Sequence, residues 1–354
     1  MRKDPHKIIS TKGLAISLFV ASVIVSLNFI LLSDFAKNGP DFANYFGAYQ
    51  NAVTCGSCQI GGLGLVTRQI FLFAAGLKVD YLTVLVVISF FTMFVKIRTA
   101  TGLLGGTELV VLIMYMSSLF WLHELIQLKI SIAFSAFMLA LFLHYKKEAR
   151  VGSAILGLVS VLAHTSVLFL WGAWLLHEFV SRRGAAQLLT TTVLIILPCY
   201  FFLSFADAEI LIREFLVASR LGSTSDYVEG LLNTEAARGV RVFNVHSIAT
   251  IITIGVYIIL DQKAKRAKLA RQSIFGFIAF AAGLAIFFKW FFSHSPVVSF
   301  RVFELLVAPM FVLQALVTTH KLLTIPFRVM FGFFFVLTNL YSYVYLNPIF
   351  IGIF

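Results

Sequence analysis

Long apolar runs recur along this chain from one end to the other, and nothing else in it constrains the fold as tightly. They cover residues 14–32, 82–95, 109–122, 130–143, 151–176, 188–205, 245–260, 274–292, 302–317 and 327–345. A helix needs roughly 17–25 such residues to cross a hydrocarbon core of about 30 Å. The runs are continuous rather than alternating, which excludes a membrane β-barrel. Composition agrees: of 354 residues, 60% are hydrophobic and 12% charged, too little polar surface to cover a soluble core of that size. The expectation is an all-α, polytopic helical membrane protein with about 9–11 transmembrane helices. The chain reads as a single integral-membrane domain over residues 1–354, with no separate soluble part.

Charge sets the orientation. The net charge of +12 sits in short turns between apolar runs, not in a basic stripe or basic–aromatic module, so nucleic acid is not an expected partner. Turns such as KIR at 96–98, KKEAR at 146–150, SRRG at 181–184 and DQKAKRAKLAR at 261–271 are placed inside by the positive-inside bias, facing acidic lipid headgroups. The basic N-terminus is then cytoplasmic. The apolar run after it is long for a signal peptide and lacks a small-residue cleavage site. Residues 34–62 and 207–244 become the outer loops.

Two stretches resist this alternation. Residues 63–77 are short for a span and carry Arg68 between flanking glycines, so they read as a re-entrant or interfacial helix. Residues 151–178 lie between two basic turns that both belong inside. Two half-helices meeting near His164 satisfy that requirement, and broken helices at membrane depth line cavities.

The outer segments carry the residues of chemical interest. Cys55 and Cys58 form CGSC, read as a small local disulfide in an oxidising compartment. A redox relay, as in a thiol oxidase, needs a second cysteine pair that Cys199 alone does not supply. Asp41, Tyr45 and Tyr49 are spaced by four and share one helical face; an interfacial aromatic belt with a capping Asp is the plainer account. Arg68, Glu124, Lys129, Arg241, Lys289 and Arg301 lie at outward-facing helix ends, where the positive-inside bias depletes cations. Snorkelling explains any one of them. Together they point to an anionic ligand such as a phosphate. His164 is a helix–helix hydrogen-bonding residue, a general base as neutral imidazole, or a phosphate-binding group when protonated. Arg301 and Glu304, at i and i+3, are spaced to pair. His246 and His294 are weaker candidates. No metal-ligand set or nucleotide loop occurs, so no cofactor is expected.

In order along the chain come DxxxYxxxY after the first helix, an E-x-x-Q followed by a basic residue (ELIQLK, Glu124 to Lys129) leading into an apolar helix, a basic turn, a run ending HTS, and a late SFRVFE. This pattern resembles the EpsG-like, Wzy-type polysaccharide (O-antigen) polymerases of bacterial envelopes. In that family the basic residue of the second motif is usually Arg. Lys129 keeps the charge and loses the bidentate fork. The resemblance implies a glycosyltransferase of the bacterial inner membrane whose active site faces the periplasm. It would move a growing glycan from undecaprenyl diphosphate onto an undecaprenyl-diphosphate-linked repeat unit, without metal or ATP. Arg68, Lys129, Arg241 and Arg301 would hold diphosphate, and Asp41 or His164 would act as base. Glu124 would orient Lys129 or serve as an alternative base, while Tyr45 and Tyr49 would contact sugar. A chain-length regulator and a flippase would be its partners, beside the bilayer and the two lipid-linked glycans. The alternatives are a flippase or transporter of lipid-linked oligosaccharide, or another polyprenyl-phosphate-dependent transferase or ligase.

Overall fold

A computed structural model describes residues 40–56, 63–124, 127–146, 149–181, 244–266, 273–292 and 296–342. The expected first span, the span at 188–205, Arg241, Cys58, Cys199 and the loop at 207–243 lie outside the described residues. Within them the chain is all-helical. The helices, labelled in the order described, are α1 (Pro40–Cys55), α2 (Leu65–Gly76), α3 (Tyr81–Leu104), α4 (Glu108–Ser117), α5 (Leu128–Lys146), α6 (Arg150–Ala163), α7 (Leu168–Ser181), α8 (Val245–Arg266), α9 (Ser273–Phe291), α10 (Pro296–Val307), α11 (Met310–Thr319) and α12 (Ile325–Leu340). Four of them are long and apolar enough to cross a membrane, at Tyr81–Leu104, Leu128–Tyr145, Val245–Lys263 and Ile274–Phe291. A fifth crossing is available if Ser299–Val307 and Met310–Thr319, bent by 43°, form one span. Pro309 sits in that bend, where its missing N–H and its ring interrupt the helical ladder. This matches the coarse expectation of a polytopic helical membrane protein.

The described chain divides into two compact units, Met1–Val167 with Gln314–Phe354, and Leu168–Leu313. In the first, α5 and α6 form an antiparallel pair fastened by Ser153, whose hydroxyl donates to the Ala140 carbonyl at 2.8 Å. The small residues of α5 also let α3 approach closely, as in membrane helix pairs generally. Ser135 donates to the Thr92 carbonyl at 3.1 Å, and a Cβ on Gly102 would lie 2.9 Å from the Phe142 ring. Gln314 and Asn339 exchange amide hydrogen bonds at 2.8 and 3.3 Å, and Asn339 also reaches Ser117 at 3.4 Å. In the second unit, α9 packs against α7, α8 and α10.

The two irregular stretches take definite forms. Residues 63–77 contain only the 12-residue α2, which is too short to span. At the other stretch, α6 stops at Ala163, and His164 adopts extended backbone (φ −158°, ψ 121°). One 3-10 turn, Thr165–Val167, follows before α7 begins. The interruption near His164 is therefore present.

Candidate functional site

The first unit is built around an ion pair that the charge pattern assigns to a turn. α3 does not end at Val95; it runs unbroken to Leu104 and stops at Gly105, whose φ of 74° is left-handed, a conformation glycine adopts freely. Lys96 therefore lies in mid-helix, and the KIR sequence is no cytoplasmic turn. Its Nζ is 2.6 Å from Glu124 Oε1, and both side chains have 0% exposure. Two charges this deep persist only if each neutralises the other and every remaining donor and acceptor is filled.

That filling is complete. Lys96 Nζ also donates to Ser131 Oγ at 2.7 Å and to Tyr115 Oη at 3.2 Å. Tyr115 donates to the same carboxylate oxygen. Glu124 Oε2 accepts from Thr92 at 2.6 Å and from Ser131 at 2.8 Å. The Glu124 carbonyl accepts from Ser89 at 3.1 Å. Three α-helices and a π-helical turn, Phe120–Glu124, thus converge on one carboxylate. The wide turn carries Glu124 and His123 inward together. His123 Nδ1 is buried without a hydrogen-bond partner among the described residues.

This arrangement corrects the roles expected of Glu124. Its carboxylate partners are Lys96, Tyr115, Thr92 and Ser131, not Lys129. With four donors on its two oxygens it has no free lone pair with which to take a proton as base. Lys129 instead lies over the Tyr45 ring, 5.6 Å from its centroid, a cation–π distance.

Tyr45 and Tyr49 do share a face of α1, but that face is turned inward. Both belong to a core cluster with Phe71, Tyr81 and Leu128, and the Tyr49 hydroxyl donates to the Val79 carbonyl. Neither forms an exposed aromatic belt. Tyr49 borders an open cleft of about 620 Å³ that also meets Phe42, Phe46, Gln50, Lys78 and Asp80; Tyr45 is not in its wall. Asp41 is the second residue of α1; its side chain lies outside the described residues. Cys55 is disulfide-bonded, as the reading of CGSC requires of its first cysteine.

Arg68 and His164 are linked through backbone. Arg68 is half-buried, and its N–H bonds the Gly64 carbonyl at 3.0 Å. A Cβ on Gly64 would lie 2.0 Å from the carbonyl oxygen of Ala163, so the start of α2 is seated on the residue preceding His164. His164 itself is half-buried, with Nδ1 2.6 Å from Ser166 Oγ. Tyr49 packs edge-on against Phe71, three residues beyond Arg68. Arg68, Lys129, Tyr45, Tyr49 and His164 thus all belong to the α1–α2–α5–α6 part of this unit.

The second unit holds another buried lysine. Lys289, in the last turn of α9, has 0% exposure. Its Nζ donates to Ser247 Oγ at 2.9 Å and sits 4.4 Å from the Phe303 ring centroid. Ser247 is itself held by Asn244 Oδ1. Ser299 donates to the Lys289 carbonyl at 2.8 Å, tying α10 to α9. His246 packs edge-on against Phe303. On α10, Arg301 is exposed and Glu304 half-buried. Unlike Lys96, Lys289 has no carboxylate in contact among the described residues.

Lys96, Tyr115, Thr92 and Ser131 were missed because a lysine after an apolar run reads as its end. One signal was available. Ignoring the charge yields a single 24-residue helix with an intramembrane cation, and such a cation calls for an acidic partner. Comparison with family models, curated proteins and solved structures finds no match to this chain.

Proposed function

We propose that this chain is a membrane glycosyltransferase that polymerises lipid-linked repeat units, taking the growing glycan from an undecaprenyl-diphosphate carrier on the outer side of the membrane. The observation that carries the proposal is Lys289. It is a fully buried cation at the end of an apolar helix which, among the described residues, has one hydrogen bond and the rings of Phe300 and Phe303. A site so desolvated favours an anion strongly. Arg301 on the adjoining helix adds a second cation whose planar fork matches phosphate oxygens. Such groups would stabilise charge as the lipid diphosphate departs.

The order of motifs along the sequence supports the same reading. Within the first unit, taken by itself, Arg68 and His164 lie at the seam between α2 and α6 and stay candidates for holding a phosphate and for a base. Glu124 is reassigned to holding the scaffold. The buried Lys96–Glu124 pair on a membrane-crossing helix favours one other reading, transport of a lipid-linked oligosaccharide, because intramembrane charge pairs often mark transport pathways.

The surface glycan ladder separates the two. Cells lacking this gene are complemented with wild type, Lys289→Met or Arg301→Ala, and the glycans are resolved by gel. A polymerase predicts single repeats at the surface without the gene, a full ladder with wild type and short chains with either variant. Absence of even the single repeat from the surface would overturn polymerisation in favour of transport.

A further inference from the structure

We propose that the groove between α4 and α12 is a binding site for an anionic glycerophospholipid of the surrounding bilayer, with its phosphate on Arg328 and an acyl chain along the groove. The groove, of about 520 Å³, is walled by Ile113 and Met114 of α4 and by Val329 and Phe333 of α12, with Thr318 and Arg328 also in its lining. Its volume falls in the range of roughly 300–1,000 Å³ common for small-molecule sites. Val329 is 51% and Phe333 66% exposed. The groove therefore opens sideways, as a chain entering from the bilayer requires.

Arg328 gives the site its charge preference. Its Nε–H donates to the Leu323 carbonyl at 2.9 Å. This fixes the plane of the guanidinium and leaves its terminal amino groups without an ion pair among the described residues. Glu108, two residues before the groove residue Val110, makes none with it. The same turn is the N-terminus of α12, where Thr324 supplies no side-chain cap and a proline opens the helix, so the dipole adds positive potential there. Lys321 is exposed just upstream, and the positive-inside bias puts this basic stretch at the acidic cytoplasmic leaflet. One fixed guanidinium matches the single charge of a phosphodiester. A diphosphate carrier, with more charge, calls for several cations. The site is thus independent of the polymerase reading.

The test uses the purified full-length protein in nanodiscs of phosphatidylcholine doped with phosphatidylglycerol, with bound lipid counted by native mass spectrometry. Wild type is expected to retain phosphatidylglycerol over phosphatidylcholine by about fivefold or more, the scale of one basic residue at an anionic surface. Arg328→Gln should abolish that preference. Ile113→Trp, which fills the groove while keeping the cation, should reduce retention of both lipids, and so tests the site even if the arginine variant folds poorly. Equal retention of the two lipids by wild type would overturn the proposal. So would an unchanged preference in Arg328→Gln, or displacement of phosphatidylglycerol by undecaprenyl phosphate added at equal mole fraction.

Discussion

Each unit contains a lysine with no exposure to solvent, and the two are treated in opposite ways. Lys96 meets a carboxylate and two hydroxyls, and its partners are bonded to one another in a closed set. Lys289 has one serine hydroxyl and a phenylalanine face. The first arrangement has its bonding capacity filled and ties three helices and the π turn in one register. Among the described residues the second leaves ammonium protons unspent in a buried site, a condition suited to an incoming anion. Burial alone therefore does not mark a functional charge; unspent bonding capacity does.

The comparison breaks most visibly through the closed set. Lys96→Met or Glu124→Leu alone should cost about 3–5 kcal/mol of stability, because either leaves one uncompensated buried charge. The double substitution should recover most of that loss, measured by denaturant unfolding in detergent. A double variant as unstable as the sum of the singles would assign the stability to the hydroxyls rather than the ion pair. Lys289→Met should behave differently. Its stability should change by under about 1 kcal/mol, since a buried charge without an ion pair in contact is itself costly, while the proposed glycan transfer, if it is this chain's activity, falls on the order of 100-fold, the scale of one lost transition-state contact. If it unfolds as readily as Lys96→Met, the distinction between the two lysines fails.

Smaller effects sharpen the picture of α1. Tyr49→Phe removes the donor to the Val79 carbonyl and should lower stability by about 0.5–1.5 kcal/mol with little change in glycan length. A length change at unchanged stability would restore the sugar-contact role. The smallest effect concerns Asp80, which caps α3. The hydroxyl of Thr83, and then its N–H, hold the Asp80 carboxyl below its ordinary value. A depressed carboxyl contributes stability that is full above the unfolded value of about 3.9 and is lost as pH falls through the lowered one. Asp80→Asn, which retains a capping oxygen, should cost under about 1 kcal/mol at neutral pH and flatten that acid dependence, visible in melts between neutral and acidic buffer.

Much of the fold was legible because bilayer thickness acts on composition alone. The α3, α5, α8 and α9 crossings follow from apolar length, and the interruption at His164 follows from two basic turns that could not both be accommodated by one span. The site was less legible. Lys96 ended a run in sequence but lies within a helix, since Glu124, 28 residues on, neutralises it. The i+4 pattern placed Tyr45 and Tyr49 on one face correctly. It could not say whether that face looks outward or into a core, because aromatic rings suit both. The partner of Lys129 was misjudged for a similar reason: proximity in sequence to Glu124 competes poorly with a π turn that swings the carboxylate away.

That π turn has a consequence for how the chain tolerates insertions and deletions. Phe120–Glu124 holds one residue more per turn than an α-helix would, and an α-helix advances about 100° per residue. Removing a single residue there would let the turn relax to α-helical form and rotate the carboxylate of Glu124 away from Lys96, even though every member of the set is still encoded. The segment thus works as a phase setting between α4 and α5. A one-codon change in length there would uncouple two faces of the unit at once.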